Sequence, residues 1–234
     1  MYADDLILLS ASVVELQKMI DLCLCELAGI DAKKSSVCRI GEHFKQPCAN
    51  LTIMNVEIPW SSRICYLGIT IKSASKFLID LKSARGKFYR SFNAVYSKVA
   101  QASEVVIVSL VKSCCVPALM YGLESVDLST SLLKKINEPL YHAIEKIFKT
   151  FDRNVAQQCM YYMNCAPLSH EYCTRKLKFL KKLSGTNNII VQHFRILFGK
   201  GEIVNICNKF DLSISDASCA KKKLWWLFAN SLNL

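Results

Sequence analysis

The spacing of apolar positions along this chain changes several times, and each change marks an element. Leu6-Ile7-Leu8-Leu9 is an unbroken apolar run behind the pair Asp4-Asp5, the pattern of a tight turn feeding a buried strand. The period then lengthens. Leu16, Met19, Ile20, Cys23, Leu24 and Leu27 recur at i, i+3, i+4, which is one face of a helix. Ser12 with Glu15 fits a capping box at its start, and Gly29 supplies its stop. Short strands follow: residues 51–54 and 56–58 flank Asn55, and Pro59 closes the second. Residues 64–71 read as a further strand, with a central Gly68 where another backbone approaches closely.

Past Ser73 the pattern turns helical. Residues 74–101 interleave Phe77, Leu81, Phe88, Phe92 and Tyr96 with basic positions, and residues 103–122 form an apolar helix. Ser103 is its expected N-cap, and Pro117 is expected to kink or shorten it. Ser129 or Ser131 is placed to cap a helix with Leu132, Ile136, Leu140, Ile144, Ile147 and Phe148 on one side. Arg175, Lys176, Lys178, Lys181 and Lys182 surround Leu177, Phe179, Leu180 and Leu183 in another predicted helix. Lys221-Lys222-Lys223 leads into Leu224-Trp225-Trp226-Leu227-Phe228, a tail expected to dock on the helical layer, with nucleic acid as the other candidate contact. The predicted class is α+β: short antiparallel strands and a helix over residues 1–72, then mainly helical regions over 73–151 and 152–234.

Composition narrows the partners. The chain has 234 residues, of which 52% are hydrophobic, enough for a sizeable core and against disorder. The net charge of +11 favours an anionic partner, nucleic acid first and a membrane surface second. A basic protein without a specific partner has the same charge. Twelve cysteines would suit a disulfide framework. However, the acidic N-terminus lacks the features of a secretory leader, and Cys23, Cys114 and Cys115 fall inside apolar helical patterns, where a reduced thiol behaves as a small hydrophobe. A reducing nuclear or cytoplasmic compartment is the expectation. The longest apolar stretch, residues 105–119, is interrupted by Lys112 and Pro117 and is too short to span a bilayer.

Three short motifs carry candidate chemistry. Adjacent acids at a turn, Asp4 and Asp5, suit a hard divalent cation such as Mg²⁺, which takes one or two protein carboxylates and leaves positions for water and phosphate. An ordinary solvated turn has the same residues. Lys34 lies in a basic helix-to-strand loop, where a lysine is a compact charge with mobile donors. Lys82, Arg85, Lys87 and Arg90 lie among aromatics on a helix, suited to a duplex backbone or to a solvated face above a core. Cys159, Cys165, His170 and Cys173 lack the close Cys-x2-Cys pair with which a compact zinc site begins, so core cysteines are preferred to zinc.

Tyr2-Ala3-Asp4-Asp5-Leu6 resembles the Tyr-x-Asp-Asp box in the palm of reverse transcriptases. Asp31-Ala32-Lys33-Lys34-Ser35 resembles the Asn-x-x-Lys-Thr/Ser element of the non-LTR retrotransposon (LINE-type) branch, with Asp31 replacing the Asn. Tyr66-Leu67-Gly68 is similar to that family's primer-grip hairpin. The resemblance implies the second half of a palm, a thumb over 73–151 and a C-terminal helical region. It assigns Asp4 and Asp5 to Mg²⁺, Lys34 to the incoming triphosphate, and Tyr66, Leu67 and Gly68 to the primer. Lys82, Arg85, Lys87 and Arg90 would grip an RNA template paired with a DNA primer. The first palm aspartate and the fingers have no counterpart in these residues. The expectation is therefore a truncated RNA-directed DNA polymerase that is inactive alone. Two other readings stay open: a non-catalytic basic helical module that binds nucleic acid, and an interaction domain using the exposed palm edge.

Overall fold

The computed structural model describes residues 5–194 except Ala28, together with 201, 204, 206–208 and 220–232. Its contacts divide the chain into two units, residues 1–83 and 84–234. The described elements are α+β, with small antiparallel sheets in the first unit and helices dominating the second.

In the first unit, helix α1 (Val13–Glu26) lays Ile20 on a hairpin of β1 (Leu51–Ile53) and β2 (Val56–Ile58). Ile20, Leu51, Ile53 and Ile58 form its core, with Leu16, Leu24 and Trp60 packed around them. The hairpin turns at Met54 (φ 48°) and Asn55 (φ 63°). Two successive left-handed residues match the twist of the paired strands. The free edge of β1 is closed by a side chain. Gln17 donates from Nε2 to the Thr52 carbonyl (3.0 Å), and its Oε1 accepts from the Thr52 N–H (2.9 Å). One amide on α1 thus replaces a neighbouring strand residue.

The second sheet runs β3 (Arg63–Tyr66), β4 (Ile69–Lys72), β5 (Leu78–Ile79). Residues 64–71 are therefore two strands instead of the single strand expected. Leu67 (φ 46°) and Gly68 (φ 79°) reverse the chain, so Gly68 serves a turn and not a close backbone approach. The following helix, expected from residue 74, begins at Lys82. Leu78 and Ile79 pair with β4, and the Asp80 N–H donates to the Thr70 carbonyl (2.8 Å). The Asp80 carboxylate accepts from the Lys82 N–H (2.9 Å) and pairs with Arg63 (3.2 Å). That carboxylate marks the helix start.

Two N-terminal expectations also change. Residues 6–9 join no ladder among the described residues, and Leu9 is 78% exposed. An apolar run becomes a strand only where a partner offers a free edge, and here Gln17 occupies the edge of β1. At α1 the capping box does not form. The Ser12 N–H donates to the Ser10 hydroxyl (3.1 Å), and Glu15 pairs with Lys18 (3.1 Å) instead of reaching back.

The second unit is helical: α2 (Lys82–Val99, of which the first turn belongs to the first unit), α3 (Glu104–Leu110), α4 (Val116–Met120), α5 (Thr130–Phe148), α6 (Arg153–Tyr162), α7 (Leu168–Ser184), α8 (Ile189–Phe194) and α9 (Ala220–Ser231). A π-helical turn, Val111–Cys115, joins α3 to α4. Pro117 has no N–H to return to the preceding turn, and the widened turn absorbs that loss. Ser129 caps α5 by accepting from the Leu132 N–H (3.4 Å), and Asp152 caps α6 (2.8 Å to the Asn154 N–H). Helix α5 buries Leu133, Ile136, Leu140, Ile144 and Ile147. Arg153 ties α6 to it, pairing with Glu138 (2.7 Å) and Glu145 (3.0 Å) above the Tyr141 ring (3.7 Å). Tyr172 of α7 donates to the Val126 carbonyl (2.7 Å) and accepts from the Leu128 N–H (3.2 Å). The aromatic tail docks as expected. Leu224 and Phe228 are buried, and Trp225 stacks on Tyr161 with centroids 5.5 Å apart.

Replacing Gln17 by Ala leaves the Thr52 amide and carbonyl without their partner while removing little core. A loss of about 1–2 kcal/mol in unfolding free energy is expected. Faster hydrogen exchange at Thr52, with the second unit unaffected, is the local signature that checks it.

Candidate nucleic-acid interface

Helix α2 has five basic residues and no acidic one. Its orientation follows from its aromatics. Phe88 and Phe92 lie four residues apart, are buried, and their rings are stacked at 6.4 Å. Helix α5 holds this face from the other side. The Lys146 ammonium lies 5.6 Å from the Phe92 ring centroid and 4.9 Å from that of Tyr96, and the Tyr89 hydroxyl bonds His142 Nδ1 (2.9 Å). With that side fixed, the 3.6-residue period turns Lys82, Lys87, Arg90 and Lys98 to solvent. None of the four forms an ion pair among the described residues. Lys87, Arg90 and Lys98 present uncompensated charge along one exposed helix face, and Lys82 stands at the start of the helix within the first unit.

Arg85 departs from this group. Three residues before Phe88, it falls on the packed side and is half-buried. Its Nε is buried without a hydrogen-bond partner among the described residues. It is therefore not part of the exposed face on which the sequence pattern groups it with Lys82, Lys87 and Arg90.

In the first unit, Tyr66, Leu67 and Gly68 form the corner of the β3–β4 hairpin. Tyr66 is half-buried opposite Ile69, and Leu67 and Gly68 are exposed at the tip. Lys34 is exposed in a turn organised by Asp31. The Asp31 carboxylate accepts from the Lys33 N–H (2.9 Å), and its carbonyl accepts from the Lys34 N–H (3.1 Å) and the Ser35 hydroxyl (2.8 Å). An Asx turn accepts Asp as readily as Asn, so Asp31 suits the loop that holds Lys34.

Asp4 lies outside the described residues, and Asp5 is exposed. No hydrogen bond or ion pair joins Asp5, Lys34 and the hairpin among the described residues. Nor do three carboxylate, histidine or cysteine groups converge there on one point. Two-metal phosphoryl transfer needs such convergence. Asp5 is the one described member of the Asp4–Asp5 pair that the resemblance assigns to Mg²⁺. In the second unit Cys165 and Cys173 are core residues, 3% and 2% exposed. The contact of Tyr89 with His142 has no sequence signal, since 53 residues separate them. Glu138 and His142, four apart on α5 and 3.7 Å from each other, are its only locally legible part.

Burial pushes the Cys165 thiol up to about 11 from its ordinary value of 9.0, because the thiolate loses its hydration, while Lys112 opposes the shift. Cys115 is likewise pushed up to about 11, by burial first and by Cys114 second. Above pH 9 the unfolded chain gives up these protons while the folded chain keeps them, so stability is full below pH 9 and falls as pH rises towards 11. Urea midpoints measured across that window should decline, and less steeply in Cys165→Ala. Comparison with protein-family models, curated proteins and solved structures finds no match to this chain.

Proposed function

We propose that this chain binds a nucleic-acid duplex along α2, in the manner of the thumb of a LINE-type reverse transcriptase, with residues 1–72 corresponding to the end of its palm. One observation carries the reading: Lys87, Arg90 and Lys98 share an exposed, acid-free face on a helix fixed from behind by Phe88 and Phe92. Such a face neutralises backbone phosphates without reading bases, and each phosphate contact releases condensed counterions. The two-residue turn at Leu67-Gly68 agrees with the primer-grip resemblance of Tyr66 to Gly68, and the Asp31 turn with that of the Lys34 loop. In the parent enzyme the duplex would be an RNA template with its DNA primer, and the reaction would add deoxynucleotides to the primer 3′ end. Asp4, Asp5 and Lys34 would be its catalytic contribution.

The non-catalytic form of this reading needs only the α2 face. Binding without synthesis is expected of the isolated chain. In a gel-shift titration with an RNA–DNA hybrid, binding should weaken steeply with salt. Lys87→Ala/Arg90→Ala should reduce the slope of log K against log salt by about 2, one per phosphate contact. Arg85→Ala should leave that slope unchanged. No binding at low salt would sink the proposal. Primer extension in Mg²⁺ is expected to be absent; extension that Asp4→Ala abolishes would restore the catalytic reading.

A further inference from the structure

A cavity of about 430 Å³ lies within the second unit, between the π-helical turn, α4, α5, the loop at Asn164, α7 and α9. It shares no residue with the α2 face. Its floor is apolar: Leu140, Leu168 and Leu224 line it and are themselves buried. Trp225 contributes an aromatic wall, held by the Tyr161 ring at 5.5 Å with the planes 9° apart. Lys112, Arg175, Lys221 and Lys222 also line it, against a single carboxylate, Glu171. Four cations against one acid leave three positive charges in excess. Lys112, Lys221 and Lys222 are solvent-exposed, so the charge lies at the open end and the hydrocarbon at the closed end.

Charge count and shape narrow the ligand. Glu171 is already paired with Arg175 Nε (2.9 Å), and Lys112 spends one N–H on the Asn164 carbonyl (2.9 Å). The remaining ammonium and guanidinium donors exceed what one carboxylate accepts, and they suit a phosphate monoester, which bears nearly two charges and three acceptor oxygens. The volume is near the lower end of the range for small-ligand sites, about 300–1,000 Å³, enough for one ring system with its phosphate. A flat wall beside aliphatic side chains suits an aromatic base, and Asn164 and Thr174 on the lining add polar groups that an acyl chain would not use. We infer that this cavity is a nucleotide site, taking the base against Trp225 and the phosphate among Lys112, Arg175, Lys221 and Lys222. The ligand is either a free nucleotide or the 5′-phosphorylated end of a strand; the chemistry recognised is the same.

The test is equilibrium dialysis of the full chain against adenosine monophosphate, adenosine and inorganic phosphate, repeated with Lys221→Ala/Lys222→Ala. Both lysines are exposed, so circular dichroism should show the fold retained. Adenosine monophosphate is expected to bind more tightly than either of its parts, and the double variant to bind it about tenfold more weakly, the scale of lost charge-assisted contacts. Quenching of Trp225, in a chain with Trp60→Phe and Trp226→Phe, should follow the same isotherm. A short strand that competes only when 5′-phosphorylated identifies a strand end as the source, and failure of any strand to compete identifies the free nucleotide. The inference is overturned if adenosine monophosphate does not bind, if the double variant binds it equally well, or if phosphate alone binds as tightly.

Discussion

The second unit depends on one stripe of side chains, the buried face of α5. Ile136, Leu140 and Ile144 are almost wholly enclosed. Burying each contributes about 1.5–3 kcal/mol relative to leaving it in water. The stripe sets what its neighbours can do. Helix α6 is tied to the same helix by Arg153, and the aromatic face of α2 lies against Lys146 and His142. Once Phe88 and Phe92 are committed to that side, Lys87, Arg90 and Lys98 have only solvent to face. The exposed face of α2 is thus the side left over once its aromatics are packed.

Two groups of cations among the described residues contrast. Arg63, Arg153 and Arg175 each have a carboxylate partner, and Arg153 has two beneath it and a tyrosine ring besides. These hold elements together. Lys82, Lys87, Arg90 and Lys98 have no such partner among the described residues. Exposed ion pairs are worth at most about 1 kcal/mol, so folding alone gives little reason to pair these four and none to cluster them. Neighbouring like charges on a helix are mildly unfavourable. Lys87 and Arg90, three apart, are the pair on α2 to which this applies.

Helical periodicity was legible wherever a helix packs one face. The stripe of α5 was legible at Ile136, Leu140, Ile144 and Ile147, although Leu133 and not Leu132 is its buried first member; of Ser129 and Ser131, both placed to cap it, Ser129 does so, and the residue 224–228 tail docks as expected. Strand boundaries were less so, because alternation between residues 64 and 71 does not say where the chain reverses. A bulky Leu at the first turn position hides a reversal that Asn or Gly would advertise. The onset of α2 was displaced by the pairing of β5 with β4, which depends on the neighbouring strand as much as on residues 78–79 themselves. On α2, the sequence pattern groups Arg85 with the exposed Lys82, Lys87 and Arg90, although it is half-buried. Only the direction of Phe88 into the core separates it from them.

The two hairpin corners carry a related lesson about what local strain permits. Met54 and Leu67 both occupy left-handed backbone, at φ 48° and 46°, which costs an L-residue with a Cβ roughly 1–2 kcal/mol. Neither recovers this by burial, since both side chains are exposed, Met54 at 69%. The strain is a product of connection length. Two residues close an antiparallel pair only in a turn whose twist matches the strands, and the flanking registers, Ile53 with Val56 and Tyr66 with Ile69, leave no third residue to relieve it. A glycine or asparagine would serve the fold better at position 67. That an apolar side chain stands there instead, at the tip beside Tyr66, is a property the fold does not require.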